Sequence, residues 1–172
     1  MNYHSPLPRD NATTVEKAIN KIRLDTIENL YVFRNGKQVA RYRGDSKNIS
    51  PDPANFICQN NDTWVHNHPT GNSFSEADIE NMVSHNVKEF YLATEYALYR
   101  VKRPGNTWPF DPRNSEVNDV LKSCEIIAEE SFGKSIQQNE LSRDEANALK
   151  MHYIWSLFFD FYGIQYTQKQ LG

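Results

Sequence analysis

Apolar positions along the chain change period several times, and each change marks an element. Val15, Ala18, Ile19 and Ile22 recur at helical spacing behind Thr13 and Thr14, either of which suits the cap of a short helix running to about residue 23. Residues 30–33 then read as a strand, Asn35-Gly36 as a tight hairpin turn, and 38–43 as the returning strand. Residues 44–60 are turn-rich, and Pro51 and Pro53 exclude a central strand there. A short apolar-leaning stretch at 63–66 reads as a buried strand ending before Pro69 and Gly71. Ser75 opens a helix to about residue 83, and 89–93 with 97–101 form a strand pair. After a proline-rich loop at 104–114, two helices are predicted. One spans about 115–132 with an apolar stripe of Val117, Val120, Leu121, Cys124, Ile127 and Ala128. The other spans about 142–162, opened by the capping box Ser142–Glu145 and closed by Gly163. The first eleven residues are polar and predicted to fray. The pattern is that of a single α+β domain, residues 1–172, with a helical pair towards its C-terminus.

Composition narrows the function classes. At 12% aromatic and 38% hydrophobic residues, the 172-residue chain has the means to build a core, which disordered chains lack. The net charge of −3 is spread in mixed signs with no Lys/Arg block, so a nucleic-acid partner is not expected. The longest apolar stretch, 154–159, is too short to span a bilayer, and no basic leader precedes an apolar run. A cytoplasmic protein without a membrane partner is therefore expected. Cys58 and Cys124 form no CxxC pair and are read as reduced thiols.

The segment from His66 to Asp78 carries the candidate chemistry. Histidines at i and i+2 on a strand project from one face, and imidazoles are good zinc ligands. If the loop 69–74 folds back, Asp78 supplies a carboxylate and leaves a fourth position open, as catalytic zinc sites do. Two other readings stay open from the residues alone. A His-x-His pair on an exposed strand needs no ligand, and Ser75–Asp78 is also a capping box in which Asp78 simply binds the helix start. The letters His-Asn-His at 66–68 match the HNH nuclease name only by coincidence.

His66-x-His68-Pro69 followed by Ser75-x-x-Asp78 resembles the signature of the JAMM (MPN/JAB) metallopeptidase superfamily. His-Asn-His-Pro-x-Gly is similar to its RadC-like branch, and Phe-Ser-x-x-Asp to JAB-like domains associated with phage minor-head proteins. The resemblance runs from about Val15 to Tyr166, is specific over 66–78, and has a slightly shorter loop between His68 and Ser75 than the usual pattern. It implies a JAB/MPN-like (cytidine-deaminase-like) mixed sheet flanked by helices, with Zn2+ held by His66, His68 and Asp78. It further implies Glu28 as general base on a zinc-held water and Ser75 as a donor to the developing oxyanion. The implied activity is hydrolysis of a peptide or isopeptide bond in a protein substrate. The alternative is a non-catalytic JAB-like protein-binding module, in phage or mobile-element morphogenesis. Deaminase chemistry is not expected, since His-x-Glu and Pro-Cys-x-x-Cys are lacking. Asn67 is read as a loop-tightening residue, and His85 and His152 as ordinary histidines. The aromatic run 153–162 is read as core or as a face for protein contact.

Overall fold

The elements expected from the apolar pattern assemble around one mixed sheet in the computed structural model, which describes residues 2–172 apart from the side chains at 144 and 148. The order along the chain is α1 (Val15–Ile22), β1 (Asn29–Arg34), β2 (Lys37–Arg43), β3 (Thr63–Asn67), α2 (Glu76–Ser84), β4 (Glu89–Ala93) and β5 (Ala97–Lys102). It continues with α3 (Ser115–Gln137), α4 (Arg143–Phe161) and β6 (Gln165–Gln170). Across the sheet the strands run β2-β1-β3-β4-β5-β6. β3 and β4 are parallel, with α2 as their crossover, and the other neighbours pair antiparallel.

Strand alternation gives the sheet two apolar faces. Tyr31, Phe33, Val65 and Ala93 pack with Ala18, Ile19 and Ile22 of α1. Leu30, Val32, Trp64, Phe90, Leu92 and Tyr99 face the other way, against α2 and the aromatic side of α4. Within the run 153–162, Trp155, Phe158 and Phe159 are buried in this larger core, while Phe161 is exposed. His66 lies on the larger-core face, which is also where α2 sits.

The first hairpin turns through Asn35 and Gly36, both in the left-handed region (φ 51° and 75°), the geometry that matches strand twist. Three features depart from expectation. The N-terminal arm is tied rather than frayed: Leu7 bridges to Arg41 of β2 and His4 to Pro51. Helix α3 runs past the expected end near residue 132 to Gln137, and Asn139 (φ 57°) supplies a left-handed residue after its end. The sixth strand was not expected, because Gln165–Gln170 is polar and half-exposed, with no apolar alternation for an edge strand to show. Among the described residues no helix is long and apolar enough to cross a membrane. Cys58 and Cys124 are free thiols.

Candidate functional site

The site forms where β3 ends beside the first turn of α2, at the C-terminal end of the parallel pair. His66 is the penultimate residue of β3, opposite Leu30, and His68 follows just beyond the strand. Gly71 (φ 82°) lets the chain reverse, and Ser75 caps α2. The Ser75 side chain accepts from the Asp78 amide (3.1 Å), while Asp78 accepts from the Ser75 amide (2.8 Å). That capping box turns the Asp78 carboxylate back over the histidines. Asp78 thus caps the helix, as one of the two sequence readings had it, and at the same time faces the histidines.

Nε2 of His68 lies 3.2 Å from Asp78 Oδ2, and Nε2 of His66 lies 3.8 Å from Asp78 Oδ1. Glu28, buried just before β1, places Oε2 3.7 Å from His66 Nε2. One ligand atom each of Glu28, His66 and His68 lies within 4.8 Å of the others. Both carboxylates therefore flank the imidazoles, but only Asp78 stands within 4 Å of both Nε2 atoms.

The opposite ring nitrogens are committed elsewhere. His66 Nδ1 lies 2.7 Å from the Asn29 carbonyl, and His68 Nδ1 lies 3.1 Å from the carbonyls of Asn72 and Ser73. Carbonyl oxygens only accept, so each Nδ1 carries a proton and each ring turns its Nε2 towards the carboxylates. Burial lowers His66 to about 4, Asp78 pulling the other way, so this ring is neutral at ordinary pH. Burial acts on His68 too, but the Asp78 carboxylate and Glu28 outweigh it and raise His68. Asp78 is pushed up by burial yet held well below the usual carboxylate range by the two histidines. Burial raises Glu28 to about 7, with His68 opposing and Asp78 and Asp45 adding to it. A cluster of converging acceptors is satisfied only by positive charge between them, either a proton on His68 or a cation. Two imidazole nitrogens with the Glu28 carboxylate form a group that could hold a metal ion, and Asp78 lies beside it.

A further ring of residues sets this geometry. Asn67 is fully buried; its Oδ1 accepts from the Asn29 amide (2.7 Å) and its Nδ2 donates to the Ile27 carbonyl (3.0 Å), clamping the segment that carries Glu28. Expected only to tighten the loop after it, Asn67 instead fixes the start of β1. Ser73, whose carbonyl receives His68, has its hydroxyl 2.8 Å from the Tyr166 hydroxyl of β6, which lies 2.9 Å from His152 Nδ1 of α4. The indole N–H of Trp155 donates to the Phe74 carbonyl (2.6 Å). None of these was singled out as a site residue from sequence. A buried-strand asparagine was the one available signal, since polar groups in cores demand partners. His85 stands apart, its ring 5.0 Å from Phe56 and 5.5 Å from Trp64.

The expected residues Glu28, His66, His68, Ser75 and Asp78 all line one cleft of about 440 Å³, with Met151 of α4 on its far side. The Ser75 hydroxyl donates to Asp78 Oδ2 (2.8 Å), so in this structure its proton steadies the carboxylate. No protein-family model, curated protein or solved structure matches the chain.

Proposed function

We propose that this protein is a metal-dependent hydrolase of the JAMM (MPN/JAB) type that cleaves a peptide or isopeptide bond in a protein substrate. His66, His68 and Asp78 would hold the ion, for which zinc is the fitting choice. The observation that carries the reading is the paired commitment of both Nδ1 atoms to carbonyls, which turns both Nε2 atoms towards Asp78. Outer partners that fix imidazole tautomers are a regular feature of metal sites.

Bound there, zinc would supply a Lewis acid that acidifies water and polarises a carbonyl. The remaining work falls to the chain. Glu28, held by Asn67 and by backbone bonds to Gly44 and Asp45, takes the proton from the attacking water and delivers it to the departing amine. Asp78 keeps the ligand pair aligned. Ser75 holds Asp78 at rest, and rotation of its hydroxyl presents the proton to the oxygen that gains charge.

Elemental analysis of the purified protein beside His66→Ala, Asp78→Ala and Glu28→Gln tests this directly. The expected result is about one zinc per chain in the parent, as one three-ligand site implies. Zinc is lost from the first two variants and kept by Glu28→Gln, which no longer hydrolyses peptide or isopeptide substrates. A parent that takes up no zinc on reconstitution overturns the reading; zinc lost from Glu28→Gln would instead make Glu28 the carboxylate ligand.

A further inference from the structure

Beside the cleft lies a second cavity of about 300 Å³ that none of the steps above uses. Leu30, Phe56, Trp64 and Phe90 form its walls, Ile49 and Pro51 close one side, and His66 with Asp78 form its polar end. The two spaces share those ligands as well as Ile49, Ser50 and Asn81, so a chain lying across the cleft has the cavity beside it.

The lining states what it will take. Among the described residues no lysine or arginine lines it, and the Asp78 carboxylate is already engaged by Ser75 and His68. A charged side chain entering it would lose water and gain no ion pair. Phe56 stands edge-on to Tyr42 at 5.5 Å and to His85 at 5.0 Å, and Trp64 edge-on to Phe90 at 5.4 Å. One more ring would meet the edges and faces that aromatic pairs prefer.

The wall is braced. The His4 amide donates to the Ser50 carbonyl (2.8 Å), the Ser50 amide donates to His4 Nδ1 (3.1 Å), and the Asp52 amide donates to the His4 carbonyl (3.2 Å). A side chain entering the cavity therefore meets a formed surface rather than a loop that must first be ordered.

We propose that this cavity is a specificity pocket for an uncharged aromatic or bulky aliphatic side chain of the substrate, next to the bond to be cleaved. The pocket rests on the metal-site reading above, because it is placed by His66 and Asp78.

Calorimetric titration of the zinc-loaded full chain with two hydroxamate series tests it. One series, N-acetyl-amino-acid hydroxamates, carries the side chain on the acyl side; the other, hydroxamoyl-acetyl amino-acid amides, carries it on the amine side. Each contains Gly, Phe, Leu, Lys and Glu members. In one series Phe and Leu bind about tenfold or more tighter than Gly, and Lys and Glu bind no better than Gly. Phe56→Ala and His85→Ala each weaken the Phe compound by about fivefold and leave the Gly compound unchanged. His85 is half-buried, so its variant carries the test if Phe56→Ala does not fold. Equal binding of all side chains in both series, or a preference for Lys or Glu, overturns the pocket while the metal centre stands. Failure of every hydroxamate to bind, Gly included, overturns the metal reading and the pocket with it.

Discussion

Asp10 accepts hydrogen bonds from Lys21 Nζ (2.7 Å), Tyr31 Oη (2.7 Å), Gln38 Nε2 (3.0 Å) and the Ala12 amide (3.0 Å), so one carboxylate joins the N-terminal arm, α1 and the first hairpin. Burial alone would push its pKa up, but these donors outweigh burial and hold the carboxyl well below the usual range. A depressed folded-state value means that the ionised form stabilises the fold above the unfolded value, about 3.9, and that this contribution fades as pH falls below it. Asp10→Asn should therefore lower stability at pH 7 by about 1–3 kcal/mol, the range for hydrogen bonds to a charged group. Urea unfolding of both proteins checks the sign: the gap should narrow steadily below about pH 4, and a gap independent of pH would show that charge is not its source. Asp10 was not legible from sequence, since an aspartate in a polar Pro-containing stretch looks solvated until the partners of the fold arrive. His66, His68, Ser75 and Asp78 were legible as a pattern because their spacing on a strand end and a helix start is local, whereas Glu28, far upstream, was pointed to only by the family resemblance. Asn67 was not legible, because alternation sends it to the opposite side from the histidines and its partners, Ile27 and Asn29, lie far back in the chain.

At the scale of elements, turns and caps were readable and long-range pairing was not. Thr14, Ser75 and Ser142 all cap the helices they were expected to open. β6 escaped because an edge strand need bury little, and its one deeply placed ring, Tyr166, is held by partners from other elements. That hydroxyl gives β6 a role at the site. Through Ser73 it steadies the carbonyl that receives His68 Nδ1, which makes Tyr166 a positioning residue. Tyr166→Phe should cost about 1 kcal/mol of stability, as one neutral hydrogen bond does. If the proposed zinc is bound, it should also weaken that binding by about tenfold, the scale of lost outer-sphere support. Competition titration with a chromogenic chelator separates the two effects: unchanged zinc affinity beside a lowered unfolding midpoint would leave Tyr166 purely structural. Gly163 offers a simpler test of the link between α4 and β6. Its φ of 66° puts a side chain in the left-handed region, so Gly163→Ala should destabilise by about 1 kcal/mol by thermal unfolding.

For the whole molecule, the α+β class follows from alternating periods, while the strand order does not. β1 lies between β2 and β3, and β3 pairs parallel with β4, contacts that no local pattern announces. These pairings matter because they bring the start of β1, the end of β3 and the head of α2 to one point. A cation held by His66, His68 and Asp78 would tie the sheet to the helix layer across the larger core, and no such arrangement exists in the unfolded chain. Binding free energy then becomes folding free energy. At free zinc about a thousandfold above its dissociation constant, the native state should gain about 4 kcal/mol. For a chain of this size that is a rise in Tm of roughly 10 °C. Thermal unfolding with zinc and with excess chelator measures it, and His66→Ala supplies the control. A rise of equal size in His66→Ala would assign the effect to zinc bound elsewhere. A rise confined to the parent would tie the stability of the whole fold to the residues proposed to do its chemistry.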